Sequence, residues 1–137
     1  MIKKDNWAQK FDNFVADNYE KKFVWGEWDC CLFSDACIKA MTGQSLIPKQ
    51  LHWVDKESAL ETIRDYGYTL INSIRKACIE KNLQKIHPSF LQKGDLVIIQ
   101  QTTQVCGMYD GIKTIGPSET GISAISGNAI VEGWRIK

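Results

Sequence analysis

The sequence is poor in the residues that usually announce chemistry. Histidine occurs twice, as His52 and His87, and is absent from position 88 onward. Charge of one sign is also missing, since 17 Lys and Arg stand against 16 Asp and Glu. That balance excludes the basic stripe of a nucleic-acid surface, and Lys3-Lys4 and Lys21-Lys22 read as solvated helix faces. No apolar run approaches the roughly 20 residues that cross a bilayer, so no membrane span is expected. The five cysteines, Cys30, Cys31, Cys37, Cys78 and Cys106, include no C-x-x-C pair. Neither His lies at ligand spacing from a cysteine pair, so spacing predicts no structural zinc site and no cofactor. An odd cysteine count argues against a disulfide framework. No apolar stretch of a signal peptide follows Lys3-Lys4, which predicts synthesis in a bacterial cytoplasm without a signal peptide.

What is present suits one globular domain over residues 1–137. The hydrophobic share is 44% and the charged share 24%, and a chain of this length buries a core without staples. Trp7, Phe11, Phe14 and Val15 recur at helical spacing, which predicts a helix over 6–19 with Asp5 able to cap it. Asp29 precedes a second apolar face built from Cys30, Phe33, Cys37 and Ala40, and Gly43 stops it, giving a helix over 30–42. Further helices are expected over 56–66 and 69–81. After Gly94 the period changes. Asp95–Gln100 and Gln104–Tyr109 read as paired strands, Asp110-Gly111 as a hairpin turn, and 112–115, 121–125 and 133–136 as short strands. Helices first and an antiparallel meander last predict an α+β fold.

The segment Trp25-Gly26-Glu27-Trp28-Asp29-Cys30-Cys31-Leu32-Phe33 resembles the cysteine-bearing helix start of NlpC-like cell-wall peptidases, which are papain-like cysteine hydrolases. Gly94-Asp95-Leu96-Val97 and Gly107-Met108-Tyr109 resemble two strand signatures of the same superfamily. The likeness is closer still to a phage-tail branch of unknown function, through Trp-Gly-x-x-Asp-Cys-x-x-Phe, the Gly116-Pro117 turn and the terminal Trp134-Arg135-Ile136. The resemblance implies a papain-like NlpC-type fold, with N-terminal helices packed on a small antiparallel sheet. It also implies a place in the virion, at the tail tip beside other tip or hub proteins.

In the resembling peptidases the cysteine matching Cys30 is the nucleophile. A thiol in the first turn of a helix favours thiolate, although a buried, inert Cys fits the same position; Cys31 competes with it. The family's catalytic His precedes the Gly-x-Tyr segment, and here that stretch reads Gln104-Val105-Cys106, with the His missing at Val105. His52 and His87 lie in loops away from that position. General-base assistance is worth about 100- to 10,000-fold, so its loss points away from hydrolysis. Asp29 reads as a helix cap or as a residue shaping the cleft beside Cys30. Trp25, Trp28 and Trp53 read as cleft walls or as core, and Trp134 with Arg135 as a stacking or partner contact. Three functions follow. One is a tail-tip structural or assembly protein with a degenerate peptidase fold. Another is an active hydrolase cleaving peptidoglycan peptide stems during genome delivery, with Cys30 as nucleophile. The third is acyl transfer or thiol-based binding by Cys30.

Overall fold

Local signals set the helices. In the computed structural model, which describes residues 1–126 and 129–137, α1 spans Trp7–Asp17, α2 Cys30–Thr42, α3 Lys56–Gly67 and α4 Leu70–Glu80. The Asp29 carboxylate accepts from the Leu32 N–H, and Gly43 closes α2 in the left-handed region at φ 80°, its N–H bonded to the Lys39 carbonyl. Such an ending favours glycine, which has no Cβ to clash. Asp55 and Ser58 form a reciprocal capping box on α3, and Thr69 caps α4. The expected Asp5 cap on α1 is not made: the helix begins after Asn6, with no side-chain cap.

The C-terminal part forms a six-stranded sheet: β1 (Gln84–Ile86), β2 (Leu96–Gln100), β3 (Gln104–Tyr109), β4 (Thr114–Ser118), β5 (Gly121–Ala124) and β6 (Ala129–Arg135). Its spatial order is β1-β6-β2-β3-β4-β5, with every pairing antiparallel. The fold is therefore α+β, as expected, but the sheet is only in part a meander. Strands β2 to β5 follow one another, whereas β6 returns to lie between β2 and β1. A short 3-10 helix, Pro88–Phe90, links β1 to the turn before β2.

The core lies between the helices and the sheet. Phe33, Cys37, Ile38 and Met41 of α2 meet Leu96, Ile98, Cys106 and Met108 of β2 and β3. Phe11 of α1, Ile74 and Cys78 of α4, and Ile136 belong to it as well. α2 packs directly on β3, and that contact places the head of the helix beside the middle of the strand.

Candidate functional site

The site begins with Asp29. It is buried, and its two carboxylate oxygens serve three donors: Leu32 N at 3.0 Å, Gly26 N at 3.0 Å and Trp53 Nε1 at 2.8 Å. The cap fixes the first turn of α2, and the other two contacts pin the preceding turn and the loop before α3 to it. Gly26 has φ +79° and its missing Cβ faces the Val54 backbone, so no side chain fits at that turn. The cap expected of Asp29 is made, and the residue also lies in the wall of the cleft beside Cys30.

Cys30 and Cys31 open α2 and are half-buried. On β3, side chains alternate between faces, and Cys106 stands on the face that meets α2. It is buried and paired across the ladder with Ile98. The sulfurs of Cys30, Cys31 and Cys106 all lie within 4.8 Å of one another. Cys106 and Cys31 are 4.0 Å apart, and the Ser34 hydroxyl is 3.8 Å from the Cys106 sulfur. Hydrogen bonds from Cys106 first, and then Cys31, hold the Cys30 thiol well below its ordinary pKa, against burial that pushes it up. Cys31 is held well above the ordinary thiol range, by its bond to Cys106 first and then by Cys30 and burial, and Cys106 is held well above it by its bond to Cys30 and by burial. The three thiols are thus coupled, with Cys30 the most acidic of them. Cys37 and Cys78 lie elsewhere in the core, where burial raises both; for Cys78 the Glu132 charge adds to burial and the thiol is pushed up to about 12.

Cys30 and Cys31 line a cleft of about 1010 Å³. Its other walls are Trp25 and Trp53, the side of α3 at Lys56, Leu60 and Arg64, the turn from β2 to β3, and the β4–β5 edge. Behind the thiols, between α2, α3 and α4, is an apolar cavity of about 80 Å³ that Cys31 and Cys106 also line.

The structure redistributes the residues expected at the site. Trp25 stays in the cleft wall, edge-on to Phe23 at 5.1 Å. Trp53 lines the cleft as well and anchors to Asp29. Trp28 is core: it is 4% exposed and packs edge-on against Phe33. Trp134 is core too, and Arg135 is bound to the buried Asp95 carboxylate and to the Phe90 carbonyl, so both side chains serve the framework. Both histidines are exposed and stand outside the cleft wall; the His87 ring accepts from Ser89 N, and the His52 carbonyl accepts from Thr62. The strand position that meets Cys30 is Cys106 rather than Val105, which is one residue out of phase. Spacing predicted no grouping of metal ligands, yet the fold assembles three sulfurs. The available signal was the two-residue period of β3, which puts Cys106 and Met108 on the same face.

No curated protein matches this chain. Residues 2–136, nearly its whole length, match the family described as Domain of unknown function (DUF6950), and the chain belongs to that family.

Proposed function

We propose that this protein is a structural or assembly component of a phage or prophage tail tip, built on an NlpC-like, papain-like fold that has lost its peptidase chemistry. One observation carries the loss: the side chains grouped with the Cys30 sulfur are the thiols of Cys31 and Cys106, where a peptidase needs an imidazole. Amide cleavage requires a base for the nucleophile and then an acid for the leaving amine. Thiols held above their ordinary range serve poorly as that acid near neutrality, and neither His lines the cleft. The tail-tip assignment rests on the resemblance in the Trp25–Phe33 segment and at Trp134-Arg135-Ile136. In the structure these residues are mostly framework: Asp29 caps, Phe33, Trp134 and Ile136 are buried, and Arg135 neutralises Asp95. That supports a scaffold kept for its shape.

A second reading, an active cysteine hydrolase on peptidoglycan stems, draws on the opening of Cys30 onto a large cleft. Two measurements separate the readings. Purified protein incubated with muropeptides should leave them intact by liquid chromatography. Particles carrying Cys30→Ala should assemble and infect like the parent. Cleavage by the wild type that Cys30→Ala abolishes would replace the first reading with the second.

A further inference from the structure

We infer that Cys30, Cys31 and Cys106 form a zinc site whose fourth position opens onto the cleft. The inference stands on the sulfur geometry and is independent of the tail-tip assignment. Tetrahedral zinc with Zn–S near 2.3 Å needs sulfurs about 3.8 Å apart. Cys31 and Cys106 already stand at 4.0 Å, and no pair of the three exceeds 4.8 Å. Small side-chain rotations close the remaining gap. The positions are held independently of any ion: the Asp29 cap fixes the helix turn that carries Cys30 and Cys31, and the β2 ladder fixes Cys106.

Donor chemistry narrows the ion. Three soft sulfur ligands select zinc or copper(I) over hard cations. Three thiolates around zinc leave one net negative charge, and around copper(I) they leave two. Cys106 is buried and Cys30 and Cys31 are half-buried, so residual charge is costly there, and the positive end of α2 offsets only about half a charge. Zinc is therefore the better match. Ser34 supports a ligand role for Cys106: it is buried, and its hydroxyl reaches the Cys106 sulfur at 3.8 Å, the kind of outer contact that orients a metal ligand. Because Cys30 and Cys31 line the cleft, a water or a donor atom of a bound partner can complete the tetrahedron. Cys37 and Cys78 lie outside the cluster and act as internal controls.

The test uses reduced full-length protein under anaerobic conditions. Cobalt(II) should bind one per chain, with intense near-ultraviolet sulfur-to-cobalt charge transfer and the visible bands of a tetrahedral site, and zinc should displace it. Alkylation mapped by mass spectrometry should show zinc protecting Cys30, Cys31 and Cys106 together; this footprint needs no variant. Cys31→Ser and Cys106→Ser, checked for folding by circular dichroism, should weaken binding by more than the roughly 10- to 100-fold typical of losing an outer contact, while Cys78→Ala should bind as the parent does. Cobalt without sulfur charge transfer, zinc that leaves any of the three sulfurs open to alkylation, or binding confined to copper(I) would each overturn the proposal.

Discussion

Asp29 concentrates more of the site's architecture than any other side chain. One oxygen caps α2 through Leu32 N, and the other accepts from Gly26 N and the Trp53 indole. Loss of a cap costs about 1 kcal/mol, and an orphaned buried donor costs about 1–3 kcal/mol more. Asp29→Ala should therefore lower stability by about 2–4 kcal/mol, combining those costs. Asp29→Asn should fall between Ala and wild type. Its carbonyl oxygen keeps the cap, but its NH2 group meets the donors of Gly26 and Trp53, which it cannot satisfy. Urea midpoints of the three proteins check the order. An alanine variant that loses no more than the cap would mean that the Trp53 and Gly26 bonds add nothing. Cys30 is legible in the sequence for the same reason that Asp29 is: a cap and the first helical residues are local, and a local pattern suffices to find them.

Among the elements, those with local end signals were legible and those made by partners were not. The bounds of α2 follow from Asp29 and Gly43, and β3 from its run before Asp110-Gly111. β1 is three residues long, two of them exposed, and it is a strand only because β6 pairs with it. β4 begins at Thr114 rather than Ile112, because the Asp110 carboxylate binds the N–H groups of Ile112 and Lys113 and lengthens the turn. β6 was expected only from Gly133, since its earlier residues alternate weakly and gain their register from Ile98 and Ile99 of β2. β6 also carries Arg135, whose guanidinium meets the fully buried Asp95 at 2.9 Å. Asp95 opens the turn into β2 by accepting from Gln92 N, so this pair ties the last strand to the start of the second. Removing one partner of such a pair strands a buried charge, at about 3–5 kcal/mol. Arg135→Ala should cost the lower end of that range, because the guanidinium is partly exposed. In an Asp95→Asn background the same change should cost about 1 kcal/mol, since no charge is then stranded. Equal costs in both backgrounds, measured by chemical denaturation, would show that Arg135 contributes packing alone.

For the molecule as a whole, the thiol cluster joins the helical layer to the sheet at α2 and β3, as the Arg75–Glu132 ion pair joins them at α4 and β6. Cys31 and Cys106 are 75 residues apart in the chain, and that separation hides the site from sequence: no ligand spacing along the chain marks it, whereas α2 lying on β3 creates it in space. The separation also sets how zinc acts on stability. An ion that binds only the folded state stabilises by about 2.7 kcal/mol at a hundredfold excess over its dissociation constant. For a chain of this length that corresponds to a rise in Tm of about 6–10 °C. Some of the gain is lost because Cys30 and Cys31 are adjacent and remain a ligand pair in the unfolded chain. Cys106 is the donor that only folding delivers. Scanning calorimetry should therefore show the full rise for wild type on adding zinc, reversed by a chelator. For Cys106→Ser the rise should be small, under about 2 °C, because its two remaining sulfurs bind zinc in folded and unfolded chains alike. An undiminished rise in Cys106→Ser would place the stabilising ion away from the junction of α2 and β3.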